Sequence, residues 1–476
     1  MNFEQLLDFC ASVQPSLGSS LGYPLTTMWR HMRTLTRRRV LGLGLGAVAA
    51  GMVGGCSTPG TISVNSLPVI PPKAPGEKIT LTYWAWLKDL QKVADIWNRQ
   101  HPDVQVNAVW IPGGNSGGYQ KMYSALAAGG GPDMAQIEMR SIPEFILVNG
   151  LVDLARYGAN DHAGQFDPTL WSQVSFTGGV YGVPQDSGPM GFYYQTELLD
   201  EVGAKPPTNW DDWRAVATEL RKVDSYLECF SLSDASFFCS LATQAGAEWL
   251  TPTPEGWLIN MTDDATMKVA RFFDKAIDDG LVTTQISPFS PAWFAACSRG
   301  GIAALTGASW ADALIEGVAG GKGRWRVAPM PRWDTGFGSS YWGGSTTAVL
   351  SSSRHPKEAL EFAVWLNSSP EGVNGLIENS GIGWSANPAL IGTPRQQPSE
   401  FFSGQDYNQE IFVPAAKQQN ADWSWWPITQ QSFNILADGF RRKATDGTLV
   451  DAVADAEKKI LTAFTNKGLS IRKVSA

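Results

Sequence analysis

Histidine and cysteine are scarce, with four and five copies in 476 residues. His31, His101, His162 and His355 stand singly, and no cysteines fall at a metal-ligand spacing. A His/Cys metal centre is therefore excluded, and nothing in the histidine distribution suggests acid–base catalysis. No cofactor and no catalytic residue is expected. Charge is also sparse, at 17% of the chain, with 45 Asp+Glu against 37 Lys+Arg. That acidic balance argues against nucleic acid and against electrostatic capture on anionic lipid. The apolar run from Val40 to Gly55 is shorter than the ~20 residues that span a bilayer comfortably. The glycines of 113–118 lack both the Gly-Lys-Ser/Thr of a phosphate-binding loop and dinucleotide spacing. They form a pliable loop in which Asn115 is a candidate ligand contact.

What precedes and follows the apolar run is informative. Thr36-Arg37-Arg38-Arg39 gives it a cationic head, and Gly54-Gly55-Cys56 closes it with small residues. Together they read as a secretory signal. The ending resembles a bacterial lipobox, in which the thiol of Cys56 is acylated, and the arginine pair resembles a twin-arginine export signal. Met1 to Thr27 sits awkwardly in front of such a signal, and translation is expected to begin at Met28 or Met32. The expected location is the extracytoplasmic face of a bacterial cell membrane, held by lipid on Cys56. Residues 57–76, rich in Pro, Ser, Gly and Thr, read as a flexible tether. Removing residues 1–56, with five arginines and two acids, leaves 32 Lys+Arg against 43 Asp+Glu, a net charge of −11.

The remaining chain is long enough for two ordinary domains or one bilobed one, and 43% hydrophobic residues suffice for a packed core. Cys229, Cys239 and Cys297 remain in it. Cys229 and Cys239 are a possible disulfide in an oxidising compartment, and three buried thiols are the alternative. Tryptophan is plentiful, 20 in all. Most belong to the core, but Trp84 and Trp86 flank an alanine where a strand ends, and Trp425 and Trp426 crowd Pro427. Flat aromatic faces matched to apolar C–H faces, rimmed by polar groups, suit carbohydrate.

Periodicity supplies the fold class. Residues 78–84 alternate like a strand, and 89–100 place Leu90, Val93, Ala94 and Trp97 at helical spacing. His101-Pro102-Asp103 stops that helix. A strand at 104–111, a helix at about 119–128, a Gly-Gly-Gly-Pro break and a strand at 133–137 follow. This βαβαβ opening predicts an open α/β sheet with crossover helices, whose ligands sit beyond the carboxyl ends of the strands.

Several segments, in order, resemble the extracellular solute-binding proteins of bacterial ABC importers, in the carbohydrate branch that includes maltodextrin-binding protein. They are Ile79-Thr-Leu-Thr-Tyr-Trp-Ala-Trp86, Ala127-Ala-Gly-Gly-Gly-Pro-Asp133, Asn149-Gly-Leu-Val-Asp-Leu154, Gly179-Val-Tyr-Gly-Val-Pro184 and Phe192-Tyr-Tyr-Gln-Thr-Glu-Leu-Leu199. Asn209-Trp-Asp-Asp-Trp213, Ala303-Ala-Leu-Thr-Gly-Ala-Ser-Trp310 and Gly343-Gly-Ser-Thr-Thr-Ala-Val349 continue the series. The resemblance implies a two-lobed α/β clamp of the periplasmic-binding-protein type (type II) with hinge crossovers. One lobe would hold 77–186 and 343–387, the other 187–342 and 388–476, with a hinge near Gln185-Asp186-Ser187-Gly188.

It further implies a monomeric receptor, not an enzyme, that captures a sugar and hands it to transmembrane permease subunits. Trp310 looks like the family's sugar-stacking tryptophan. Glu138 and Arg140 sit where relatives place hydroxyl-binding side chains, Asp186 falls in the hinge loop, and Asp234 with Phe237 matches a region where relatives present an acid and an aromatic. Trp342, Gly343, Gly344, Trp425 and Trp426 are further candidate ligand contacts. Asp133 reads as structural. The chain departs from maltodextrin binders at Ser236 and Ile137, where they carry aromatic residues, which points to a smaller sugar: a di- or small oligosaccharide, or an amino sugar. A glycerophosphodiester or polyamine on the same fold is the alternative, and a secreted glycoside hydrolase a more distant one.

Overall fold

The alternation after Lys78 becomes strand β1 (Ile79–Ala85), with Ile79, Leu81, Tyr83 and Ala85 turned into the core. The structure is a computed structural model that describes residues 68–114 and 117–474. The expected signal with Cys56, most of the expected tether and Asn115 lie outside the described residues. Where the tether is described, its backbone is held: Ile70 N donates to Tyr157 Oη at 3.0 Å and Lys73 N to Glu358 Oε1 at 2.6 Å.

Helix α1 (Leu90–Gln100) buries Leu90, Val93, Ala94 and Trp97, the set that helical spacing requires. Trp97 Nε1 donates to Val104 O at 2.8 Å and its ring stacks on His101, which fixes the turn into β2 (Val104–Trp110). Next come α2 (Gly118–Ala127), β3 (Met134–Glu138) and α3 (Ile142–Leu147). Strands β2 and β3 both run parallel to β1. The Asp133 carboxylate is structural, accepting from Thr82 N at 2.9 Å and Ser353 Oγ at 2.7 Å.

After β4 (Val183–Pro184) the chain enters a second sheet at β5 (Met190–Gln195). There follow α4 (Ala235–Ala245), α5 (Asp264–Asp278), β6 (Ala304–Ala308), α6 (Ala311–Ile315) and β7 (Trp325–Pro329). It then returns to the first sheet as β8 (Ser345–Val349), backed by α7 (Pro356–Ser368). The first sheet has the order β2-β1-β3-β8-β4 and the second β6-β5-β7. Helices α8 (Thr429–Phe440) and α9 (Leu449–Asn466) pack on α4 and α5 of the second lobe.

Neighbouring segments carry the chain between the sheets. Trp342 N donates to Gly188 O at 2.9 Å and Met190 N to Ser340 O at 3.0 Å, so the two crossovers are zipped together. A third segment joins them where Trp384–Ser385 pairs with Asp186–Ser187. Gly188 is compelled by this approach: a Cβ there would lie 2.2 Å from Trp342 O.

The possible Cys229–Cys239 disulfide is not formed, and the alternative of three buried thiols is what the structure has. All three cysteines are free and buried. Cys239 lies on α4 within the main hydrophobic cluster, whereas Cys229 shares a separate cluster with Cys297, so closeness in sequence does not become closeness in space.

Beneath β6, the buried carboxyl of Glu228 accepts from Thr306 Oγ1 at 2.7 Å. Burial pushes it up to about 7. The native state therefore holds a proton that the unfolded chain gives up near the ordinary glutamate value. This contribution to stability is complete below that value and is lost as pH rises through about 7. Thermal unfolding is expected to show a stability loss of at most roughly 3 kcal/mol from this group between pH 5 and 8. Glu228→Gln is expected to flatten that slope.

Candidate functional site

Beyond the carboxyl ends of β1 and β3, and below the crossovers, lies a cleft with two connected chambers. The outer one, about 820 Å³, is lined by Trp86, Lys88, Gln136, Asp186, Glu316 and Glu378 among others. The inner one, about 250 Å³, is lined by Asp234, Ser236, Ser240, Phe289, Tyr341, Trp342, Trp425 and Phe433. Glu138, Arg140, Trp310, Gly343 and Gly344 border both. A hollow of about 940 Å³ elsewhere, between α2, α3 and α8, has no comparable convergence of aromatic faces and charged groups.

One wall is aromatic and built by the second lobe and the crossover. Trp310 ends the loop after β6 at the start of α6, and its Nε1 donates to Trp342 O at 2.7 Å. The Trp310 and Trp342 rings lie 5.3 Å apart, tilted by 55°. Phe289 packs on both, 5.6 Å from Trp310 and 6.4 Å from Trp342. Its φ of 60° is the left-handed region, disfavoured for so bulky a side chain and tolerated where surrounding packing dictates it. Phe237 does not line the cleft; it backs Trp342 at 5.3 Å. Gly343 and Gly344, at φ 82° and 113°, turn the backbone away so that the cleft stays open beside Trp310.

The facing wall is polar. Glu138, at the end of β3, accepts from Tyr119 Oη at 3.0 Å and pairs with Arg140 at 2.8 Å. Burial works against the Arg140 charge, but Glu138 more than offsets it and its pKa is raised. The guanidinium also lies over the Phe433 ring at 5.3 Å. Asp186 Oδ1 accepts from Ser345 N at 2.6 Å and Ser345 Oγ at 2.5 Å, while burial raises its pKa. Asp234 caps α4, accepting from Ser236 N at 2.8 Å and Ser236 Oγ at 2.6 Å. Ser236 Oγ in turn accepts from Trp342 Nε1 at 2.8 Å, so the aromatic wall is tied to that cap. Two buried polar atoms at the cleft, Arg140 Nε and Tyr341 Oη, have no hydrogen-bond partner among the described residues.

The structure thus brings together Trp86, Glu138, Arg140, Asp186, Asp234, Trp310, Trp342, Gly343, Gly344 and Trp425. Besides Phe237, two expected residues lie elsewhere. Trp84 carries Lys121 Nζ over its ring at 4.2 Å, because alternation on β1 turns it away from Ala85 and Tyr83. Trp426 is fully buried, its Nε1 donating to Ser432 Oγ at 2.9 Å, while Trp425 beside it faces the cleft. Tyr119, Gln136, Ser240, Phe289, Tyr341 and Phe433 were not anticipated as site residues. Tyr341 had a usable signal, its place beside Trp342-Gly343-Gly344, and so did Gln136, two residues before Glu138 on β3; Phe289 and Phe433 come from distant segments with no local motif.

Two α/β lobes joined by paired crossovers, with an aromatic wall facing charged groups across the gap, define a solute-binding clamp. The chain belongs to the bacterial extracellular solute-binding protein family, whose sequence pattern matches residues 82–372. It is similar to the galacto-N-biose-/lacto-N-biose I-binding protein of an ABC transporter from Bifidobacterium longum, solved with lacto-N-biose. The two share 27% identity and a TM-score of 0.76 over 84% of this chain and all of that one. An ABC-transporter-associated binding protein from B. animalis subsp. lactis Bl-04, solved with β-1,6-galactobiose, shares 26% identity and a TM-score of 0.73, over 83% of this chain and all of that one. A lactose-binding protein of Rhizobium radiobacter is 24% identical over 72% of this chain and 81% of its own. Among the described residues, no helix is long and apolar enough to cross a membrane.

Gly188→Ala would drive a methyl group into the Trp342 carbonyl. It is expected to destabilise the fold by about 1–3 kcal/mol and to displace Trp310 with it, lowering the melting temperature and quenching-detected ligand affinity together.

Proposed function

We propose that the chain is the capturing component of an ABC importer, closing its two lobes on a di- or short oligosaccharide and delivering it to transmembrane permease subunits. The observation that carries this reading is the wall of Trp310, Trp342 and Phe289 set against Glu138 and Arg140. An apolar sugar face stacks on the indoles, and the hydroxyls replace water at the carboxylates, the guanidinium and Tyr341. The relatives named above as lactose-, lacto-N-biose- and galactobiose-binding support the ligand class. Closure is a population shift, with ligand bridging both lobes favouring the closed state. A mismatched hydroxyl leaves a buried polar group unpaired at a cost of about 1–3 kcal/mol, which enforces stereochemistry.

The local partners of the acids refine the choice of ligand. Glu138 is paired with Arg140, Asp186 is held by Ser345 and Asp234 by Ser236. Each acid already has a donor within the protein, Glu138 a guanidinium and Asp186 and Asp234 serine groups, so a neutral sugar is favoured over an amino sugar or polyamine. A phosphodiester meets Glu138, Asp186, Asp234, Glu316 and Glu378 in the cleft, against Lys88 and Arg140. We further propose anchoring by lipid on Cys56, twin-arginine export, a monomeric state and no catalytic activity. Incubated oligosaccharides are expected to be returned uncut.

A thermal-shift screen of the exported chain against mono-, di- and amino-sugars, phosphodiesters and polyamines tests the reading. A concentration-dependent rise in melting temperature with a neutral disaccharide is expected. Trp310→Ala is expected to weaken that binding by about tenfold or more, ~1.4 kcal/mol. A response to a phosphodiester or polyamine alone would overturn the sugar.

A further inference from the structure

Helix α8 begins without a cap of its own. Its N-cap residue, Ile428, offers no side-chain acceptor; Thr429 N donates to Trp426 O at 3.2 Å, and the N–H groups of Gln430 and Gln431 need an acceptor from elsewhere. The acceptor comes from the other lobe: Glu144, in the first turn of α3, takes the hydrogen bond of Gln430 N on Oε1 at 2.9 Å. Glu144 lines neither chamber of the cleft. Four residues before it, Arg140 lies over the ring of Phe433 on that same helix. The segment 138–144, which carries the charged pair of the cleft, is therefore fastened to the second lobe's α8 at two points.

We propose that Glu144 is a positioning residue for ligand binding, a latch by which the docking of α8 orients Arg140 in the cleft and stabilises the closed clamp. The proposal rests on the cleft being the binding site. When the lobes part, the Glu144–Gln430 bond and the Arg140–Phe433 contact break together, and Arg140 loses the surface that holds its guanidinium against Glu138. Ligand then meets a less ordered cleft, and complexes already formed reopen sooner. Glu144 acts through Arg140 and α8, without touching ligand.

The latch has a pH signature. The titratable groups packed on Glu144 are Tyr123 of α2, Arg140 and Lys467 after α9. Burial raises the carboxyl above its ordinary value, outweighing the lowering by the Gln430 and Gln431 amides, Lys467 and Arg140. In the open clamp the carboxyl returns to water and its ordinary value. The closed state therefore takes up a proton, and closure strengthens as pH falls through the raised value. Glutamine keeps the acceptor and lacks the charge; alanine lacks both.

The experiment is titration of the wild type, Glu144→Ala and Glu144→Gln with lactose, lacto-N-biose and β-1,6-galactobiose from pH 5 to 8. Dissociation rates and ligand-free melting temperatures are recorded alongside. Glu144→Ala is expected to weaken binding about five- to tenfold through faster dissociation, the loss of one helix cap, with the ligand-free melting temperature little changed. Glu144→Gln is expected to bind like the wild type at pH 5 and to lose the pH dependence. Unchanged affinity in Glu144→Ala would overturn the latch. So would a parallel fall in ligand-free melting temperature in both variants, which marks a purely structural role. If the wild type binds none of the three sugars, the sugar reading has failed, and amide exchange at Gln430 and Gln431 decides the latch by itself. Faster exchange there in Glu144→Ala sustains it, and unchanged exchange overturns it.

Discussion

The hydrogen bond from Trp342 N to Gly188 O ties the two crossovers together, and the cleft is built around it. It fixes where the chain leaves one sheet for the other, and so fixes the axis about which the lobes meet. The same residue carries the next link, because Trp342 O accepts from Trp310 Nε1 and sets the plane of that indole. The Trp342 side chain then reaches Ser236, whose hydroxyl meets Asp234 at the head of α4. Backbone crossing, aromatic wall and helix cap form one connected set of bonds. Only glycine at position 188 allows the strands to come this close.

In the proposed function, recognition is divided between the lobes. The first supplies charge at the ends of its strands, with Glu138 after β3 and Asp186 at the crossover, each held by its own neighbours. The second supplies flat apolar surface through Trp310 and Phe289. Neither face alone can enclose a polar molecule with apolar C–H faces. On that proposal the energy of association comes from closure, which brings hydroxyl partners and stacking surfaces to bear at once. Arg140 stands at the junction, bonded to Glu138 of its own lobe and lying over Phe433 of the other.

The first lobe was legible because its signals are local. Alternation in β1 and the spacing of Leu90, Val93, Ala94 and Trp97 reflect one sheet face and one helix face, both readable without knowledge of the rest. Trp310, Glu138 and Arg140, which border the cleft, were proposed through segments that resemble a family, not through periodicity. Where residue type alone was used, reading was poorer. Trp425 and Trp426 are adjacent and identical, yet one faces the cleft and the other is sealed among Trp249, Trp423 and Phe433. Cys229 and Cys239 are close in sequence and lie in different clusters.

The amino-acid sequence by itself determined the α/β class, the order of the opening elements, the family and the acidic, histidine-poor composition. These depend on period, spacing and composition, which are properties of short stretches of chain. Which side chains converge on the cleft was decided only by tertiary structure. Phe289, Tyr341 and Phe433 reach it from segments far apart in the chain, and Glu144 accepts from Gln430, 286 residues later. No local pattern encodes such a meeting. It follows from the two crossovers and the packing of α8, which choose, among many exposed or buried candidates, the few that face one another.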